Sequence, residues 1–211
     1  MKALIFDLDG VICFTDKFHY KAWKQVADEM GIYFDEKIND RLRGVSRMDS
    51  LDIILERYEG EHLDQNAKEE IAEKKNGIYK KLLETMSSAD VTDEVRDTLK
   101  ELRKRGYRLS IGSSSKNAKF ILEKIELTDA FDAISDGTNI KKSKPDPEVF
   151  LKGAEFLDVE PGECLVVEDA IAGIEAAKSG GMLAAGLGEA SGYEKTDYSL
   201  NKFSDLLDIA K

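Results

Sequence analysis

Two cysteines, Cys13 and Cys164, exclude a disulfide framework and offer no zinc-type spacing. Two histidines, His19 and His62, exclude a three-histidine metal site built from this chain alone. With three prolines there is no Pro-rich linker, and neither an internal repeat nor a low-complexity tract is found. Long apolar runs are missing too. The stretch from Met1 stops at Asp7, too short for a signal-peptide core or a spanning helix, so a cytoplasmic protein is expected. Positive charge is scarce, with 31 Lys and Arg against 42 Asp and Glu, a net charge of −11 and a pI near 4.8. That balance argues against nucleic-acid or membrane partners, because both need cations to displace counterions or meet headgroups. Any phosphate group bound here has to be met locally, by a few lysines or arginines, a helix N-terminus or a metal.

What is present is a soluble-protein composition, 42% hydrophobic and 35% charged, arranged in two periodicities. Residues 2–6 are a short apolar run entering Asp7-Leu8-Asp9-Gly10, the pattern of a buried strand that ends in a glycine turn. From Asp16 the period becomes helical. Phe18, Ala22, Val26 and Met30 recur at four-residue spacing before Gly31. Ser46 and Asp49 resemble a capping box ahead of Leu51, Ile54, Leu55 and Tyr58, and a third helix from Asp64 carries Ala67, Ile71, Ile78, Leu82 and Leu83. After Thr92 helix and strand alternate: Val95, Leu99 and Leu102, then 107–111, then Phe120, Leu122 and Ile125, then 131–135. A helix starting at Asp146-Pro147, the strand 165–167, a helix over 170–179 closed by Gly180-Gly181, and a final buried run over 182–187 complete the order. The charge run 100–105 reads as a solvated helix face.

This order predicts an α/β fold, a Rossmann-like, doubly wound and mainly parallel sheet, interrupted after its first strand by an all-helical insertion. The expected domains are 1–14 with 90–211, and 15–89. In such sheets ligands bind beyond the carboxyl ends of the strands, so the residues there belong to one reading. They are Asp7 and Asp9, Ser113-Ser114-Ser115, Lys144, and Glu168-Asp169. Several carboxylates, one lysine and a hydroxyl-rich turn suit Mg²⁺ together with a phosphoryl group.

Taken together, Phe6-Asp7-Leu8-Asp9-Gly10-Val11-Ile12, Ser113, Lys144 and Glu168-Asp169 resemble, in order, the four motifs of the haloacid dehalogenase superfamily. The resemblance implies that Asp7 is phosphorylated as the nucleophile and Asp9 is the acid/base. It further implies that Ser113 and Lys144 hold phosphate oxygens, and that Asp7, Asp9 through its backbone carbonyl, Glu168 and Asp169 surround Mg²⁺. The insertion is similar to the helical cap of the hexose phosphate mutases of that superfamily, through residues 15–23, 42–50, 74–76 and 113–117. This likeness implies a substrate set of His19, Trp23, Arg43, Gly44, Val45, Arg47, Ser50, Lys75, Ser115, Lys116 and Asn117. In it, Arg47 grips the phosphate that is not transferred, and His19 and Lys75 position Asp9. Trp23 and Phe18 suit the core of the insertion better than sugar stacking.

The implied reaction interconverts β-D-glucose 1-phosphate and glucose 6-phosphate through an aspartyl phosphate and β-glucose 1,6-bisphosphate, with the cap excluding water. Two alternatives stay open. One is a sugar-phosphate phosphatase using the same Asp7; the other is a catalytically idle sugar-phosphate sensor. A small sugar phosphate is the expected partner of a monomer, and Cys13 is assigned to packing.

Overall fold

The computed structural model describes residues 1–42 and 45–211. The chain forms two compact units, Met1–Phe14 with Ser87–Lys211, and Thr15–Met86. The return crossing therefore lies at Ser87, slightly earlier than the boundary expected at residue 90. Local bonds explain the shift. Asp90 accepts from the Ser87 N–H, and the Ser88 carbonyl accepts from Arg96, so 87–90 are tied to the helix that follows.

The larger unit is a six-stranded, wholly parallel sheet in the order β3-β2-β1-β4-β5-β6. Its strands are β1 (Ala3–Phe6), β2 (Arg108–Gly112), β3 (Ala133–Ser135), β4 (Cys164–Glu168), β5 (Leu183–Gly186) and β6 (Tyr198–Ser199). β1 and β4 are buried throughout, which is why both read as continuous apolar runs rather than alternating ones. β6 was not foreseen. It has two residues, both exposed, and joins the edge through the N–H groups of Asp197 and Leu200, so no hydrophobic pattern marks it.

On one face of the sheet Val149, Phe150 and Ala154 of a helix over Glu148–Leu157 pack with Ile5 and Val166, joined by Ile174 and Ala177 of a helix over Ile171–Ser179. Burial of side chains of this size stabilises the fold by about 1.5–3 kcal/mol each. The approach is close. A Cβ at Gly112 would lie 2.6 Å from the Phe150 ring.

The smaller unit contains α1 (Asp16–Glu29), α2 (Glu36–Asp40), α3 (Arg47–Leu55) and α4 (Gln65–Leu83), and among the described residues none of the strands falls in it. α1 ends where Gly31 takes φ +69° and Ile32 N–H returns to the Ala27 carbonyl, a left-handed stop that glycine adopts without strain. Ser46 and Asp64 cap α3 and α4 by accepting from the N–H groups of Asp49 and Ala67. α2, capped by Asp35, is too short for its period to show in the sequence. Trp23, Val26, Leu51, Ile54 and Ala72 form the core of this unit with Ile32, Phe34 and Ile38. No helix among the described residues is long and apolar enough to cross a membrane.

Candidate active site

β1 is central and pairs with both β2 and β4, so it lies where the strand order reverses. Phe6 is level with Ile111 and Val167, which places Asp7 at the strand ends, its N–H donating to the Val167 carbonyl at 2.9 Å. Lys144 Nζ donates to Asp7 Oδ1 and to Glu168 Oε1, at 2.5 Å each. All three are buried, at 7% exposure for Asp7, 5% for Lys144 and 1% for Glu168. Burial on its own would lower the Lys144 pKa, but the two carboxylates outweigh it and hold the ammonium above the ordinary lysine value. Burial pushes Glu168 up to about 6, against Lys144 and the Ala170 N–H.

The remaining oxygen of Glu168 accepts from the N–H groups of Asp169 and Ala170 at 3.0 and 3.1 Å, ahead of the helix that starts at Ile171. Gly173 makes room for this. A Cβ there would sit 1.9 Å from Glu168 Oε1. Gly10 does the same for Asp169, whose Oδ2 lies 2.0 Å from where a Cβ would be, and its φ of +86° is one that glycine holds without strain.

Asp7, Glu168 and Asp169 each offer a carboxylate oxygen within 4.8 Å of the others. An all-oxygen set of this kind fits a hard divalent cation such as Mg²⁺. The Asp9 carboxylate is not a member of this cluster.

The turn after β2 is shaped by two successive hydroxyl contacts. Ser113 Oγ accepts from Ser115 N–H at 3.1 Å, and Ser115 Oγ from Asn117 N–H at 3.2 Å. Ser113 and Asn117 are buried and Lys116 is exposed. This loop and the Asp7 cluster stand on adjacent strand ends, as the sequence implied.

In the helical unit, Lys75 Nζ is 3.0 Å from His19 Nδ1 and lies over the rings of Trp23, at 4.9 Å, and Tyr79, at 4.6 Å. The His19 and Tyr79 rings lie 4.1 Å apart between centroids, tilted by 36°. Its pKa is held well below the usual value by burial, by Lys75 and by Arg47, so the ring is neutral and its Nδ1 accepts from the ammonium. Arg47 pairs with Glu73 Oε2 at 3.2 Å. Trp23 is 2% exposed and belongs to the core of this unit, with Lys75 over its ring. Ser50 is buried on α3 and Val45 is half-buried; Arg43 and Gly44 lie outside the described residues.

Two contributors had gone unread. Glu148 accepts the N–H groups of Lys141 and Lys142 at 2.9 and 2.8 Å, pinning the segment that leads into Lys144. Its signal was an acid in the first turn after Asp146-Pro147. Tyr79 was visible as the residue four after Lys75, on the same helix face.

Residues 1–181 match the model of the haloacid dehalogenase-like hydrolases. The chain belongs to that family. Within this family it is 42% identical over 207 residues to a β-phosphoglucomutase of Bacillus subtilis, covering 98% of this chain and 92% of the relative. It is 32% identical to a phosphorylated carbohydrates phosphatase of Thermotoga maritima, covering 86% of this chain and 82% of that one. A crystal structure of a β-phosphoglucomutase from Clostridium difficile superposes with a TM-score of 0.91 at 37% identity, covering 98% and 93% of the two chains. The six-stranded parallel sheet with its flanking helices agrees with that close structural match.

Proposed function

We propose that this chain is a phosphomutase interconverting β-D-glucose 1-phosphate and glucose 6-phosphate. The observation that carries the reading is the buried Asp7, Lys144, Glu168 and Asp169 group at the reversal of strand order, in a chain 42% identical over nearly its whole length to a protein named for this reaction.

Asp7 is the nucleophile. A bond forms between its carboxylate oxygen and phosphorus, and the bond from phosphorus to the sugar oxygen breaks. Asp9 supplies the proton that the leaving oxygen takes, and returns as base when the other hydroxyl of the sugar attacks the aspartyl phosphate. The attack of the sugar monophosphate's free hydroxyl on the aspartyl phosphate gives β-glucose 1,6-bisphosphate. This reorients and returns its other phosphate to Asp7, so that the phosphoenzyme is regenerated as the isomeric monophosphate leaves. Lys144 holds Asp7 in place and offsets its charge, so that an anionic nucleophile meets an anionic substrate at lower cost. The Ser113 hydroxyl and Lys144 hold phosphate oxygens, Ser115, Lys116 and Asn117 contact the substrate, and Arg47, His19 and Lys75 serve the second phosphate and the positioning of Asp9. Arg47 suits its part because a guanidinium engages phosphate with two parallel hydrogen bonds. Asp7, Glu168, Asp169 and the Asp9 carbonyl would hold Mg²⁺, which when bound would neutralise charge on the transferred phosphoryl group. The reading includes a cytoplasmic monomer, in keeping with two unpaired buried thiols.

The Thermotoga relative favours a second reading, a sugar-phosphate phosphatase in which water takes the phosphoryl group from Asp7. One assay separates them. Purified protein with Mg²⁺, β-glucose 1-phosphate and a trace of the bisphosphate is expected to form glucose 6-phosphate faster than inorganic phosphate. Phosphate release without glucose 6-phosphate would establish the hydrolase, and turnover of neither kind would leave a sensor.

A further inference from the structure

The loops that follow β2 and β3 are laced together more tightly than neighbouring strand ends require. Ser113 N–H donates to the Ser135 carbonyl at 3.0 Å and Gly137 N–H donates to the Ser115 carbonyl at 3.2 Å. Between these two bonds the backbones are in direct contact. A Cβ on Gly137 would lie 2.4 Å from the Ser114 carbonyl oxygen and 2.9 Å from the Lys116 nitrogen, closer than side-chain carbons come to backbone atoms. The buried Gly137 does not have a positive φ, so an alanine is refused there by the neighbouring loop and not by its own backbone.

The turn carrying Gly137 is itself braced. Asp136, 1% exposed, accepts from Thr138 N–H at 2.8 Å and from Thr138 Oγ1 at 2.5 Å on a single oxygen, Oδ1. Asn139 Oδ1 accepts from Asp136 N–H and Ser135 Oγ at 3.3 and 3.2 Å. Among the described residues, the buried side-chain oxygens without a hydrogen-bond partner are Ser114 Oγ and Asp136 Oδ2, one in each of these two loops. Buried polar atoms of this kind are costly, and they persist where another constraint fixes the backbone.

We infer that Gly137 is a positioning residue for the phosphate-gripping loop 113–117, with the Asp136–Thr138 turn as the brace that presses it into place. Resting on the proposed role of that loop, the inference assigns the β3 turn control over where the Ser113 hydroxyl and Lys116 meet a phosphoryl group. The loop's own two hydroxyl contacts shape its curl, whereas the backbone of Gly137 decides its height above the sheet. Displacement of such a loop by about 1 Å is enough to cost on the order of a hundredfold in a phosphoryl-transfer site.

The test uses the full chain and four variants: Gly137→Ala, Gly162→Ala, Thr138→Val and Thr138→Ser. Gly162 has open space around its Cβ position and controls for the substitution itself. Thr138 is exposed, and its change to valine removes the hydroxyl donor to Asp136 without adding a clash. The readouts are KM for β-glucose 1-phosphate and the dissociation constant of inorganic phosphate from ³¹P titration, with circular dichroism to verify folding. Gly137→Ala is expected to raise both constants about tenfold or more. Thr138→Val should raise them in the same direction by a smaller factor, while Thr138→Ser and Gly162→Ala keep wild-type values. If Gly137→Ala does not fold, the Thr138 pair decides alone. Folded Gly137→Ala or Thr138→Val protein with wild-type constants would overturn the inference. A wild-type chain with neither phosphate affinity nor turnover would instead overturn the reading of the loop on which it rests.

Discussion

Cys13 in the α/β unit and His19 in the helical unit are titratable groups in opposite fields. The Cys13 thiol is pushed up by burial and then by Asp9, Asp7 and Asp90, so it stays protonated and inert. His19 is pushed down by burial and then by Lys75 and Arg47. One unit concentrates carboxylates with a single buried lysine among them, and the other gathers cations against aromatic rings. The difference teaches how a chain of net charge −11 handles phosphate. On the proposed reading, the bond-making groups and the grip on the second phosphate fall in separate parts of the sequence, each with its own core to hold it.

If that division is right, substitutions in the two units should fail differently. The largest effect is expected from Asp7→Asn, which should lower every turnover by at least ~10⁴-fold and abolish ³¹P-detectable phosphoenzyme. Residual phosphoenzyme would remove Asp7 from its role. Next comes Arg47→Ala. Mutase flux should fall by roughly 10- to 100-fold, while phosphoenzyme formation from acetyl phosphate remains within about twofold of wild type. An equal loss in both rates would collapse the distinction between the units.

A third effect is on stability. Because the folded pKa of His19 is depressed, the unfolded chain binds a proton near its ordinary value of 6.5 that the folded chain refuses. The stabilisation is complete above that pH and is lost as pH falls, with a slope of at most about 1.4 kcal/mol per pH unit. Urea unfolding of wild type and His19→Asn between pH 5 and 7.5 reads this, and identical pH slopes would show that the cationic surroundings of His19 are not felt. The smallest effect is structural. Asp64→Ala removes the N-cap of α4 and should cost about 1 kcal/mol in denaturant unfolding. It should leave acetyl phosphate turnover unchanged, and a parallel loss there would mean that chemistry leans on the stability of the helical unit.

Long, strongly patterned elements were legible. The buried β1 and β4, the capped α3 and α4, and the helices ended by Gly31 and Gly106 all follow from local residue choice. Short elements without an apolar signal, α2 and β6, were not. At the site, Asp7, Ser113 and Glu168 were legible because they follow or end patterned strands, and Lys144 because it precedes the helix start at Asp146-Pro147. Glu148, Tyr79 and Gly137 were missed because they act on other residues through an N–H, a ring face or the lack of a side chain, none of which has a periodic trace.

The sequence by itself determined the alternation of elements, the helical insertion after β1 and the residue types needed for phosphoryl transfer. Those follow from hydrophobic period, turn chemistry and charge, all of which act over a few residues. Only the tertiary structure decided that Lys144 is shared between Asp7, 137 positions away, and Glu168, 24 away, that the Asp9 carboxylate stands outside the cluster of Asp7, Glu168 and Asp169, and that Trp23 is core. These depend on strand order and on close backbone approach, which arise when distant segments pack and are encoded in no single stretch of the chain.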